Sequence, residues 1–272
     1  MIKAVIFDLD GTLSNSLESI AYSANLALEL IGMHTYETER YKQFVGDGAD
    51  ELVKRMLYYN GDTEYKRFGE LRASYKETFG KYSGYHVRPY DGLPEVLLEL
   101  KKQGLLLSVL SNKPHKQAVE VVESLFGKDL FQIVQGQSKE FSRKPSPEGA
   151  LFIAASLGVE PSECMYVGDT NTDMKTGKSA GMYTVGVLWG FRDRQELEEN
   201  HADEIISKPL ELPGLTGKSI LSPIRLVATD VDGTLVKDSS NEVYPEIKEA
   251  VRLLKKKDIL FIVASGRQYY SL

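Results

Sequence analysis

Two aspartates one residue apart, Asp8 and Asp10, close an apolar run formed by Ile2 and residues 4–7, and Gly11 and Thr12 then turn the chain. Two carboxylates this close repel each other unless a cation or a proton relieves them. Three more polar clusters follow apolar stretches further along. Ser111-Asn112-Lys113-Pro114 comes after residues 105–110, and Lys144-Pro145 lies in the polar loop after 131–134. Gly168-Asp169-Thr170-Asn171-Thr172-Asp173 comes after 164–167. Carboxylate oxygens suit Mg²⁺, a hard cation that keeps several waters and often binds substrate phosphate as well. A hydroxyl, backbone N–H groups and an ammonium suit phosphate oxygens. Each residue also has a plainer reading. Asp8 and Asp10 could form an Asp-rich turn, and Ser111 or Asn112 could cap the next helix. Lys144 could be a solvated lysine, and Asp173 could only favour a helix N-terminus. Lys113 and His115 read as surface residues, Trp189 and the tyrosines of 35–85 as packing.

The elements that must hold these groups are legible from periodicity. An uninterrupted apolar run such as 4–7 suits a strand buried on both faces, as in a parallel sheet. Further strands are expected at 105–110, 131–134, 164–167, 183–188 and 204–206. Helices are expected at 93–102, 116–126, 147–157, 172–180 and 194–200. This alternation predicts an α/β protein with a Rossmann-like parallel sheet covered on both faces. Ligands of such sheets bind beyond the carboxyl ends of the strands, where the polar clusters fall. Ser14 and Ser16 offer capping side chains to a helix carrying Leu17, Ile20, Ala21, Ala24, Leu28 and Ile31, closed by Gly32. Residues 35–85 are rich in Tyr, Lys, Arg and Glu, show no convincing strand, and read as a helical insert with a turn at Val45-Gly46-Asp47-Gly48.

The 272 residues suffice for one large domain or two ordinary ones. With 42% hydrophobic and 26% charged residues the profile is that of a soluble globular protein. A net charge of -6 argues against broad nucleic-acid binding. No apolar stretch approaches a membrane span, and Met1 leads almost directly into the first strand, which leaves no room for a signal peptide. The single cysteine, Cys164, excludes an internal disulfide framework and reads as a core thiol. A cytoplasmic protein that binds no nucleic acid and no membrane is expected.

Taken together, the clusters resemble the four motifs of the haloacid dehalogenase superfamily of phosphatases. Asp8-Leu9-Asp10-Gly11-Thr12 matches the first, Ser111 the second, Lys144 the third, and Gly168-Asp169 through Asp173 the fourth. Val45-Gly46-Asp47-Gly48 with Leu52-Val53, Ser-Asn-Lys-Pro, Lys144-Pro145-Ser146-Pro147, and Gly186-Val187 with Trp189-Gly190 resemble its phosphoglycolate phosphatase-like branch. One departure is Ser14-Asn15-Ser16, where Val-Asp-Ser is usual; it puts an amide for an acid near the cap hinge. The resemblance implies a core of residues 1–15 and 86–212 and a small helical cap at about 16–85. It implies hydrolysis of small phosphomonoesters with Mg²⁺ as cofactor, Asp8 as nucleophile and Asp10 as acid and base. Mg²⁺ would be held by Asp8, the Asp10 carbonyl, Asp169 and Asp173, and the phosphoryl group by Ser111, Asn112 and Lys144. A pyrophosphatase, nucleotidase or sugar-phosphate phosphatase fits the same motifs, and a phosphate-binding scaffold without turnover is the reading from another class.

Residues 209–223 carry Pro, Gly and Ser and read as a linker, with 213–223 its expected extent between domains. Beyond it, Asp230-Val231-Asp232-Gly233-Thr234-Leu235 repeats Asp8–Leu13 at all but one position. A helix at 245–257, a strand at 259–264 and Ser265 follow. Residues 224–272 resemble the start of the Cof-like sugar-phosphate phosphatases. Asp8 and Ser111 are 103 residues apart, room for a cap; Asp230 and Ser265 are 35 apart, room for one helix and one strand. A second unit cut short, with no lysine or acidic metal motif of its own, is expected.

Overall fold

In the computed structural model, which describes residues 1–217, 226–231, 234–236, 243–256 and 259–264, the first apolar run forms β1 (Ala4–Phe7), buried throughout. The chain continues through β2 (Ser14–Asn15), α1 (Leu17–Leu30), α2 (Ala49–Tyr59), α3 (Phe68–Tyr82) and β3 (Arg88–Pro89). Then come α4 (Leu93–Lys102), β4 (Leu106–Pro114), α5 (His115–Phe126), β5 (Ile133–Gln137) and α6 (Glu148–Leu157). The first unit ends with β6 (Cys164–Gly168), α7 (Asn171–Ser179), β7 (Tyr183–Val187), α8 (Arg194–Glu199) and β8 (Glu204–Ile206). Six strands form one parallel sheet in the order β5-β4-β1-β6-β7-β8. The expected α/β fold with its parallel sheet is therefore present.

Both faces of this sheet are covered, which explains why its strands are apolar without alternation. Val5, Phe7, Val109, Val167 and Val185 face one core with α4 and α5 residues such as Leu97 and Val122. Ala4, Ile6, Cys164 and Tyr166 face another with Ile153 and Ala154 of α6. Cys164 is buried there as a core thiol, and burial pushes it up to about 12. β1 is central, and the connection after β5 crosses to β6 on its other side, so β1, β4 and β6 share one carboxyl edge. That crossover is a switch point where α/β sheets bind ligands.

The insert has a core of its own. α1, α2 and α3 enclose Leu28, Tyr41, Phe44, Met56, Leu57 and Leu71, all essentially inaccessible to solvent. Its two stems pair as the antiparallel ribbon β2–β3, too short to show a period in the sequence. Ser16 stands at the N-cap of α1, but its hydroxyl makes no capping bond. The segment expected to be a linker from Pro209 instead opens with a 3-10 turn, Pro209–Leu215, whose Leu212 and Leu215 enter the main core.

The chain divides into two compact units, Met1–Ile220 and Leu221–Leu272. In the second, β9 (Leu226–Thr229), α9 (Pro245–Lys256) and β10 (Leu260–Val263) form a β-α-β unit with parallel strands. Asp230 is described there; Asp232 and Ser265 lie outside the described residues. Among the described residues no helix is long and apolar enough to cross a membrane.

Candidate active site

Asp8 is the first residue past β1, and its N–H donates to the Val167 carbonyl of β6 at 2.9 Å. This bond carries sheet register straight into the site. Gly11, at φ +93°, lets the chain turn back; a Cβ there would run into the Asp169 carboxylate. β4 extends past the apolar run to Pro114, with an irregularity in its pairing to β5 after Leu110, so Ser111 and Asn112 belong to the strand end. They do not cap α5, which has Pro114 at its N-cap position.

Asp8, Asp169 and Asp173 each present a carboxylate oxygen within 4.8 Å of the others, and all three are buried. Lys144 Nζ donates to Asp8 Oδ1 at 2.6 Å and to Asp173 Oδ1 at 2.7 Å. The plain reading of Lys144 as a surface lysine fails, since only 4% of its side chain is exposed. Asp169 accepts from the Thr12 hydroxyl at 3.0 Å and the Phe191 N–H at 2.7 Å. Asp173 does two jobs: Oδ1 faces Lys144, while Oδ2 accepts from the Thr170 N–H and hydroxyl in a capping box that starts α7.

Of the three buried carboxylates, those of Asp8 and Asp173 thus face one buried ammonium. Burial, and then the charge of Asp173, push the Asp8 carboxyl well above the usual carboxylate range against the pull of Lys144. Burial and Asp173 push Asp169 up to about 7, although the Phe191 N–H and Thr12 hydroxyl favour its charged form. Burial alone would lower Lys144, but Asp173 and Asp8 outweigh it and hold the ammonium well above its ordinary value. An all-oxygen donor set with unbalanced negative charge fits a hard divalent cation such as Mg²⁺.

Asn112 ties the lysine loop to the cap: its amide donates to the Lys144 and Gly46 carbonyls, both at 3.2 Å, and its Oδ1 accepts the Lys144 N–H at 2.9 Å. Ser111 Oγ, on the pocket wall, accepts the Lys113 N–H. Lys113 is the main correction to the sequence reading. Its side chain is 1% exposed, and its ammonium donates to Asp10 Oδ1 at 2.9 Å and Oδ2 at 3.1 Å. The apolar run ends at Leu110, which hid the strand extension; a bond to a residue 103 positions away leaves no local signal. His115 is exposed, as expected. Trp189 packs against the core and donates from Nε1 to the Thr12 carbonyl at 3.0 Å.

A pocket opens above Asp8, Asp10, Ser111 and Lys144, and cap residues Leu52, Tyr75 and Phe79 wall it. The cap is pinned beside it. Thr172 Oγ1 donates to Asp47 Oδ1 at 2.7 Å, Arg55 pairs with the other Asp47 oxygen, and Arg192 donates to the Lys42 and Val45 carbonyls.

Residues 5–187 match the family model described as haloacid dehalogenase-like hydrolase. The chain belongs to that family. A second model of the same description matches residues 227–272. The phosphoglycolate phosphatase of Neisseria meningitidis serogroup A is 32% identical over 203 residues, 74% of this chain and 86% of the relative. That of Thiobacillus denitrificans is 30% identical over 207 residues, 75% and 91% of the two chains. The N-acetylmuramic acid 6-phosphate phosphatase of Pseudomonas aeruginosa is 28% identical over 212 residues, 78% and 93% of the two. Among solved structures, a predicted phosphoglycolate phosphatase from Haemophilus somnus superposes with a TM-score of 0.73 at 27% identity, covering 79% of this chain and 98% of the other. Family membership together with the aspartate cluster makes the chain a phosphoric monoester hydrolase of the haloacid dehalogenase type, working through the Asp-x-Asp motif and Mg²⁺.

Proposed function

We propose that the chain hydrolyses phosphoglycolate or a closely similar small phosphomonoester through an aspartyl-phosphate on Asp8. The observation that carries this reading is the pocket itself: Asp8, Asp10, Ser111 and Lys144 line it together, with cap residues Leu52, Tyr75 and Phe79 opposite. The substrate is suggested by the relatives named phosphoglycolate phosphatase, which match three quarters of the chain.

In this reading an Asp8 oxygen attacks phosphorus in line as the bond to the leaving oxygen breaks, and Asp10 delivers a proton to that oxygen. Water then attacks the aspartyl-phosphate, Asp10 takes its proton, and phosphate leaves with Asp8 restored. Ser111 Oγ, the Asn112 N–H and Lys144 hold the phosphoryl oxygens, since positioning and charge stabilisation dominate phosphoryl transfer. Asp8, the Asp10 carbonyl, Asp169 and Asp173 would hold Mg²⁺. When bound, the ion supplies positive charge that lets an anionic nucleophile and an anionic phosphate approach.

The domain scheme read from the motifs belongs to this proposal: catalytic core at 1–15 and 86–212, cap at about 16–85. For residues 224–272 we propose a likeness to the Cof-like branch, carried by the repeat of the first motif at Asp230.

The test is a panel of phosphometabolites with and without Mg²⁺, beside Asp8→Asn. The expected result is Mg²⁺-dependent turnover, highest kcat/KM on phosphoglycolate, and loss in the variant. A higher value on N-acetylmuramic acid 6-phosphate or a nucleotide would move the substrate assignment within the family. Equal rates for variant and wild type would sink the mechanism.

A further inference from the structure

Among the described residues lining the pocket, two are cations, Lys113 and Lys144. Lys144 is committed to Asp8 and Asp173. Lys113 has no part in holding the phosphoryl group or the metal acids. It meets Asp10 through both carboxylate oxygens, and its ammonium lies 4.8 Å from the centroid of the Phe79 ring in cap helix α3. It therefore stands between the proton donor and the cap, where the leaving alcohol must lie if Asp10 is to reach the ester oxygen. The cap side of that space, Ile20, Leu52, Tyr75 and Phe79, offers little to balance a charge beyond the ring face. An ammonium in such surroundings is costly without an anionic partner, and Asp10 is its partner here.

We infer that Lys113 is a specificity-determining residue: it receives an anionic group carried by the leaving alcohol close to the ester oxygen, exchanging its bonds to Asp10 for bonds to that group. The inference rests on the phosphatase reading, with Asp10 as acid, and adds which side chain selects the substrate class. An entering carboxylate takes over the ammonium; the freed Asp10 carboxylate takes a proton from water, turns to the ester oxygen and gives it that proton as the Asp8–phosphorus bond forms and the P–O bond breaks. A neutral alcohol has nothing to exchange, so Asp10 stays tied to Lys113. The favoured class is a phosphomonoester with a carboxylate on the carbon that bears the ester oxygen.

The test compares kcat and KM of wild type, Lys113→Met and Lys113→Arg on phosphoglycolate, on 2-hydroxyethyl phosphate, which replaces the carboxylate by a hydroxymethyl group, and on an aryl phosphate. Wild type is expected to prefer phosphoglycolate to its neutral counterpart by about 100-fold in kcat/KM, the scale of one desolvated charge pair. Lys113→Met should erase that preference, and Lys113→Arg should restore part of it. A wild-type ratio near one overturns the inference, and this arm needs no variant to fold. So does an equal loss on both alkyl substrates in Lys113→Met. Absence of any Mg²⁺-dependent turnover by wild type defeats the phosphatase reading and the inference with it, a pattern distinct from turnover without discrimination.

Discussion

Asp169 shows what a buried acid does to stability before any cation binds. Its carboxyl is raised by burial to about 7. The folded chain therefore holds a proton that the unfolded chain has already released above its ordinary range near 4. Stability falls as pH rises through this interval, because the native state binds more protons than the unfolded state. Asp8, raised for the same reason, adds in the same direction. Thermal unfolding of the metal-free protein should show Tm declining between about pH 4 and 7. The stabilisation by added Mg²⁺ should grow over the same interval, since cation and protons compete for the same oxygens. A metal-free Tm that rises with pH, or a Mg²⁺ shift largest at pH 5, would contradict the assignment. Gly190 gives a second handle, for a Cβ there would enter the Asp169 carboxylate. Gly190→Ala should weaken Mg²⁺ binding by about tenfold, on the scale seen when partners of metal ligands are lost, as measured by titration calorimetry.

Elements explain which parts of this site could be read in the sequence. Asp8 and Asp169 were visible because each ends an uninterrupted apolar run, and burial of both sheet faces forces such runs. Lys113 was not, because β4 outlasts its apolar residues and the bond to Asp10 is long-range. The ribbon of Ser14–Asn15 with Arg88–Pro89 is two residues per strand, below any periodic signal. The 3-10 turn Pro209–Leu215 has the composition of a linker, and only the burial of Leu212 and Leu215 shows that it is core. The cap–core contact likewise depends on pairings no spacing reveals. Asp47 sits where burial would raise its carboxyl, yet the Thr172 hydroxyl and the Arg55 guanidinium hold it below the usual range. That contribution is present above the unfolded value and fades as pH falls through the folded one. Asp47→Ala should lower kcat/KM at neutral pH by about tenfold and stability by about 1 kcal/mol, the size of a lost charge-assisted bond. Steady-state kinetics and denaturant unfolding separate the two effects; unchanged kcat/KM would remove the cap loop from the account.

The whole molecule carries the Asp-x-Asp-Gly-Thr-Leu pattern twice, at Asp8 and at Asp230, in two compact units. In the first, strands β1, β4 and β6 bring Asp8, Ser111 and Asp169 to one sheet edge, and Lys144 joins them from a loop. In the second, Asp230 directly follows β9 and is exposed. A motif at a strand end needs partners from other strands before it has chemistry to do. Asp230→Asn should therefore leave kcat/KM within about twofold of wild type, as expected for an exposed position outside the working site. A loss comparable to that of Asp8→Asn would give the second unit a catalytic role.

The claim on which the rest depends is that Asp8 becomes phosphorylated. Rapid acid quench of the Mg²⁺-loaded enzyme during turnover of ³²P-labelled phosphoglycolate, followed by peptide mapping, tests it directly. The account predicts label on the peptide containing Asp8 and none in Asp8→Asn; label on another residue, or undiminished turnover by the variant, would contradict it.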